Sequence, residues 1–317
     1  MARKRRKKNQ WTGKKTLAAV LLVLVVLCGA FYMWIAGLLG IKDATVYNDG
    51  MLGVFFLDVG QADCILIKGL ENKNMLIDAG KNDTAEELVD TLKGYGVSTL
   101  EYFVLTHPHE DHVGGADTVL ESFEVKNVIS PDVGADTKTW RDVVDAVEAE
   151  GCMDITASVG ARYTLFKGCA FEILGPVDTD TDLNNASVVL RMSYGKNAFL
   201  FTGDAEEEAE NAILGRVDQS KLKADVLKAG HHGSSTSSSE AFLSAVSPRY
   251  AVISCGKDNS YGHPHSETLE RYAARGLVVY RTDKEGDVIL QSDGETLYRI
   301  SNDPSTPLEK ILAAIFS

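Results

Sequence analysis

Thr106-His107-Pro108-His109-Glu110-Asp111-His112-Val113-Gly114-Gly115 follows directly on an apolar run, residues 102–105, and its spacing decides how the chain is read. A short apolar run that ends in a polar, glycine-closed turn predicts a strand whose end loop opens a helix. In an extended segment His107 and His109 point to the same side, where both can hold one metal ion. The turn that follows swings Asp111 and His112 towards a second. Gly114 and Gly115 let the backbone approach its neighbours closely. Three imidazoles and a carboxylate within six residues have no packing purpose, which sets aside a merely solvated loop.

Working outward, all seven histidines fall in three places: His107/His109/His112, His231/His232 and His263/His265. A site assembled from loops after several strands draws its ligands from such separate segments. Asp204 ends another apolar run, 198–201, just before a helical stretch. There a carboxylate can bridge two cations, or simply cap the helix. Asp63 and Asp78 lie at strand ends, where they can accept hydrogen bonds from ligand imidazoles.

Short apolar runs alternate with amphipathic stretches and Gly-rich turns, the pattern of an α/β domain. Strands are predicted at 53–59, 64–68, 74–77, 102–105, 125–129, 161–165, 170–174, 187–193, 198–201, 226–228, 250–254, 278–281, 287–291 and 296–300. Helices are predicted at 84–95, 115–122, 138–150, 205–214, 239–245 and 266–274. The domain organisation expected is a basic cytoplasmic segment 1–16, a transmembrane anchor 17–41, a linker 42–50, a hydrolase domain 51–303 and a C-terminal tail or helix 304–317. Residues 17–41 carry no charge and at helical rise reach roughly 37 Å, enough to cross a hydrocarbon core of roughly 30 Å. Eight Lys or Arg precede them, so the body is expected to face outward, as a single-pass membrane protein. Cleavage of the span as a signal peptide, releasing the body, is the alternative.

Beyond residue 40 the chain holds 24 basic and 45 acidic residues, a net charge of −21. Such a field argues against non-specific polyanion binding, although a pair of divalent cations would reverse its sign locally. Cys64, Cys152, Cys169 and Cys255 show neither metal spacing nor the density of a disulfide scaffold and read as small buried hydrophobes.

The H-x-H-x-D-H pattern after a strand resembles the metallo-β-lactamase-fold hydrolases. The resemblance is sharpened by Phe56-Leu57-Asp58-Val59-Gly60-Gln61-Ala62-Asp63, Leu76-Ile77-Asp78-Ala79-Gly80, Leu200-Phe201-Thr202-Gly203-Asp204, Ala229-Gly230-His231-His232-Gly233-Ser234 and Tyr261-Gly262-His263-Pro264-His265. Over residues 52–291 the chain is similar to the extracellular hydrolase domain of ComEC-type competence proteins, without their channel helices. The resemblance implies an αββα sandwich with two divalent ions, Zn2+ or Mn2+, at one edge. Asp204 would bridge them, and His107, His109, Asp111, His112, His231 and His263 would complete the ligands. Catalytic roles fall to Asp111, His232 and His263, the last either a ligand or a proton donor to the leaving group. His232, Ser234 and Ser235 would hold substrate oxygens or orient ligands, with His265 and Asn185 beside them. Where many relatives place a further histidine, this chain has Asn184-Asn185-Ala186-Ser187, leaving the first ion one ligand short and favouring a harder metal.

A bridging water, deprotonated near neutral pH between two such ions, would attack an ester. The resemblance implies phosphodiester hydrolysis, of DNA or another extracellular phosphodiester. The alternatives are a cell-wall or choline-phosphodiester esterase, a lactone or thioester hydrolase, and a catalytically silent surface-binding module. No protein partner is implied.

Overall fold

The structure is a computed structural model that describes residues 42–44 and 47–300. The expected anchor 17–41 and tail 304–317 lie outside the described residues. Among the described residues no helix is long and apolar enough to cross a membrane.

Strand Leu52–Phe56 is buried at every position, a mark of a strand covered on both faces. Its alternating side chains supply both layers. Phe55 packs with Leu88, Val89 and Leu92 of helix Ala85–Gly94, and Val119 and Leu120 of helix Ala116–Ser122 belong to the same cluster. Phe56 faces the other way, its ring 6.2 Å from that of Phe201 in a second sheet. Tyr102 likewise meets Phe171 edge-on at 5.0 Å across the same interface. The second sheet carries its own helices: Leu200, Leu227 and Ala251 pack with Ile213, Phe242, Leu243 and Tyr272. The result is the expected helix–sheet–sheet–helix layering.

The first sheet runs Leu297–Ile300, Val288–Ser292, Leu52–Phe56, Ile65–Lys68, Asn74–Ile77, Thr99–Val104, Asn127–Ser130, Met153–Thr156. The second runs Val278–Arg281, Tyr250–Ile253, Val226–Lys228, Asn197–Phe201, Val189–Tyr194, Cys169–Gly175, Arg162–Phe166. Parallel pairing occupies one stretch of each sheet. Asn74–Ile77 pairs parallel with Thr99–Val104, while Asn197–Phe201, Val226–Lys228 and Tyr250–Ile253 form a parallel run. Loops after parallel strands gather at their carboxyl ends, where α/β sheets place their sites. Here the gathering joins both sheets, for Val188 N–H donates to Thr106 O at 2.8 Å, while within the second sheet His231 N–H donates to Gly203 O at 3.2 Å.

Among the elements that differ from the sequence expectation, two have a plain physical reason. The helix expected from Ala205 begins at Glu207, because the Oδ1 of Asn185 takes the N–H groups of Glu206 and Ala209 and fixes the start later. Strand Met153–Thr156 was not expected, since its half-exposed, part-polar side chains carry little apolar signal. The four cysteines of the body are free; Cys64, Cys169 and Cys255 are buried and Cys152 is partly exposed.

Candidate metal centre

The loop after strand Thr99–Val104 enters the site at Thr106 and turns into the short helix Glu110–Val113. Gly114 makes that turn possible: a Cβ there would come within 2.3 Å of the Asn82 backbone nitrogen. His107 is fully buried, and its Nε2 lies 3.0 Å from His109 Nδ1, two ring nitrogens brought to one point. His112, also fully buried, offers Nδ1 to Asp78 Oδ2 at 2.7 Å and leaves Nε2 facing Asp204 Oδ1 at 3.3 Å. Asp78 has a left-handed backbone, φ 58°, at the end of its strand. From there its carboxylate also accepts from the Thr106 N–H at 2.8 Å and the Thr106 hydroxyl at 2.7 Å. Asp78 thus contacts both the His112 imidazole and Thr106.

The second sheet supplies the other half. Asp204, 2% exposed, follows strand Asn197–Phe201, and its N–H donates to Ser187 Oγ at 3.1 Å. After strand Val226–Lys228 the chain passes through two consecutive left-handed residues, His231 (φ 47°) and His232 (φ 53°). Such backbone is costly for non-glycine residues and is held here by the surrounding loops. It throws the two rings to different places. His232 is buried, with Nδ1 3.0 Å from Ser254 O and Nε2 3.4 Å from Asp111 Oδ2 and 3.6 Å from Asp204 Oδ2. His231 stays a quarter exposed, its Nδ1 paired with Glu206 Oε1 at 2.7 Å and its Nε2 3.7 Å from Asp204 Oδ2.

Beneath these ligand candidates lies a buried ion pair that the sequence reading passed over. Lys228, 1% exposed, pairs with Asp63 and donates to Gly203 O at 2.9 Å; Asp204 Oδ1 is 3.8 Å away. Burial alone would raise the Asp63 carboxyl, but Lys228 and His232 bring it down to about 2. Burial would likewise depress His112 and His232. Asp204 and Asp78 nevertheless hold His112 well above its ordinary value, and Asp204 and Asp63 hold His232 at about 9. Asp111 and Asp204 are pulled below the carboxylate range against burial, chiefly by His232 and His112 respectively. So concentrated a carboxylate charge draws protons onto two imidazoles, which is the position a cation would take.

The buried polar atoms test whether a metal fits. His112 Nε2, His232 Nε2 and Asp204 Oδ1 are buried without any hydrogen-bond partner. Unpaired buried polar atoms are rare and expensive. Two ring nitrogens and a carboxylate oxygen of the right type for a divalent cation make these three a donor set. Their neighbours form mutually close groups: His107, His112 and Asp204; Asp111, His112 and His232; Asp63, Asp204 and His232.

A family described as Metallo-beta-lactamase superfamily matches residues 57–257, which contain every group just named. The chain belongs to this superfamily. Among characterised sequences it is 31% identical to ComE operon protein 3 of Bacillus subtilis (strain 168) over 253 residues, 74% of this chain and 32% of that one. It is 34% identical to competence protein ComA of Neisseria gonorrhoeae over 246 residues, 77% of this chain and 32% of that one. The chain thus spans about a third of the length of the curated relatives it matches. Among solved structures, CmlA, a diiron β-hydroxylase from Streptomyces venezuelae, superposes with a TM-score of 0.51 at 11% identity. The match covers 76% of this chain and 54% of that one, and it speaks for the shared fold.

Within this metallo-beta-lactamase frame the remaining expected residues separate. His109, Asp111, Asp204, His231, His232 and His263 all line one cavity of about 380 Å³, together with Gln61, Lys81, Glu110, Asn184 and Tyr261. His263 sits with its Nδ1 3.4 Å from Gln61 Nε2. Burial and the neighbouring His231 and His232 lower its ring to about 4. Four expected substrate-side residues are directed elsewhere. Asn185 spends its amide on the helix start and on Asp182 at 2.5 Å. Ser234 Oγ bonds Thr236 Oγ1 at 2.9 Å. Ser235 and His265 bond each other, with Oγ 3.1 Å from Nδ1, and none of these side chains lines the cavity. The adjacent Asn184 reaches it instead, its Oδ1 buried and unpaired. Lys228 carries the clearest missed signal: a lysine inside an apolar strand, immediately before Ala-Gly-His-His.

Proposed function

We propose that the chain is a metal-dependent phosphodiesterase. Its first ion would be held by His107, His109 and Asp204, and its second by Asp111, His112, His232 and Asp204. We assign the second-site nitrogen to His232 rather than His231, because His232 Nε2 is the buried, unpartnered atom facing both Asp111 and Asp204. A bound pair of zinc or manganese ions would supply Lewis-acid activation of water and of the scissile group.

The chain's own residues hold this arrangement. Asp78 and the Ser254 carbonyl each engage the far nitrogen of a ligand imidazole, fixing its tautomer and direction. Lys228 balances the excess of buried carboxylates. Glu206 engages His231 Nδ1 and leaves Nε2 towards the cavity. His263 stands at the same cavity as a neutral ring, able to take a proton from the attacking water or relay one to the leaving group.

The observation that carries this reading is the meeting of three unpaired buried donor atoms from loops of both sheets. The phosphodiester choice rests on similarity to proteins named for competence and recombination, and DNA is the polymer we put first. The basic residues before the uncharged stretch 17–41 support an anchor with the hydrolase body outside the membrane. Purified full-length chain supplied with manganese or zinc is expected to cleave bis-p-nitrophenyl phosphate or single-stranded DNA. Turnover of a lactone or thioester, with neither phosphodiester cleaved, would overturn the assignment.

A further inference from the structure

Tyr261 and Lys81 are among the cavity residues absorbed neither by the ligand set nor by its supports. Tyr261 is 65% exposed, and its ring stacks on that of His263 with centroids 5.7 Å apart and planes 22° from parallel. Its loop is held in place. Asn259 Nδ2 donates to the carbonyls of Gly256 and His263 at 2.9 and 2.6 Å, and the His263 N–H returns to Asn259 Oδ1 at 3.0 Å. An exposed aromatic on a tied loop is a platform set before the ligand arrives, with one face already backed by an imidazole. Lys81 comes from the other sheet, in the loop after strand Asn74–Ile77. It is the only lysine or arginine among the described residues that line the cavity. Its ammonium makes no ion pair with the described residues, although the body around it is strongly acidic.

We infer that Tyr261 and Lys81 form a nucleotide subsite, Tyr261 stacking a base and Lys81 holding a backbone phosphate next to the one cleaved. The substrate is then a single-stranded, base-bearing phosphodiester. This rests on the phosphodiesterase reading and narrows it. Every base offers a π-face, so one stacking ring selects for bases without selecting among them. A choline ester fits the same residues poorly: its cation would meet an ammonium and a cluster of imidazoles, with a single ring in place of an aromatic cage. A cavity of about 380 Å³ is at the small end for ligand sites, and the charge of −21 disfavours a duplex, whose phosphates would need a broad basic surface.

The test compares a fluorescein-labelled thymidine tetranucleotide with an abasic strand carrying the same phosphates. Binding to the full chain is measured by anisotropy with calcium present, and cleavage with manganese. The base-bearing strand is expected to bind about tenfold more tightly. Tyr261→Ala should erase that preference and Tyr261→Trp keep it. Lys81→Gln should weaken both strands alike and flatten the dependence of log affinity on log salt by roughly 0.7. Equal affinity for the two strands, binding of neither at millimolar protein, or a preference that survives Tyr261→Ala would overturn the subsite. Preferential binding without cleavage would instead remove the phosphodiesterase reading and leave the subsite standing.

Discussion

The floor of the site and its rim are built to different rules. On the floor, His107, His112, His232, Asp63, Asp78, Asp204 and Lys228 are each at most 2% exposed, and His112 and His232 have the far side fixed and the near side open. At the rim, His231 keeps a quarter of its side chain exposed and Tyr261 is largely open to solvent. A floor of this kind is intolerable to the fold unless its charges are matched, by Lys228 and the imidazoles and, in the proposed centre, by cations. The rim is where a substrate would meet the chain.

Substitutions in the floor should therefore cost most. Asp204→Ala is expected to lower kcat/KM for bis-p-nitrophenyl phosphate by at least roughly a hundredfold, since both ions lose a ligand. A variant within threefold of the parent would move Asp204 out of the centre. Lys228→Met takes its nearest cation from the buried Asp63 carboxylate, which costs on the order of 3–5 kcal/mol in unfolding by urea. Adding Asp63→Asn should restore most of that loss; equal instability of the single and double variants would show that Lys228 acts through packing rather than charge.

The protonation of the floor gives a third expectation. His232 sits at about 9 and His112 well above its ordinary value, both raised by carboxylates against burial, so below those values a proton occupies each ligand nitrogen. Metal must displace these protons, and its affinity should rise with pH between about 6 and about 9. Calorimetry in buffers of different ionisation enthalpy should register proton release on binding; a pH-independent affinity would contradict it. The rim should respond more mildly: Glu206→Gln, which loosens the carboxylate pairing of His231, is expected to lower kcat by about tenfold and leave metal content unchanged. Loss of metal in that variant would place His231 on the floor instead. The smallest effect concerns the thiols. Burial pushes Cys169 and Cys255 up to about 12, so iodoacetamide at pH 8 should modify Cys152 in the folded body while sparing Cys64, Cys169 and Cys255.

The same division governs what could be read from sequence. Strands Asn74–Ile77 and Val226–Lys228 and helices Lys138–Glu150 and Ser266–Ala274 fall where the residue pattern put them, because burial on one or both faces leaves its mark in the residues. The layered fold and the seat of the first histidine cluster were legible for that reason, and from the family resemblance. What adjacent histidines do was not. His231 and His232 share a left-handed backbone, which no side-chain pattern announces, and the turn they make sends one ring to the floor and the other to the rim. Asn185 looked like a polar group free for substrate, whereas its partners lie 21 and 24 residues away on a helix start. Lys228 was hidden by its strand, its charge being matched chiefly by Asp63, far away in sequence.

Anomalous diffraction from crystals grown with manganese tests the central claim most directly. The account predicts two peaks, one within coordination reach of His107 and His109, the other of Asp111, His112 Nε2 and His232 Nε2, with Asp204 touching both. No peak at the floor, or a single peak held by His231 and His263 at the rim, would contradict it.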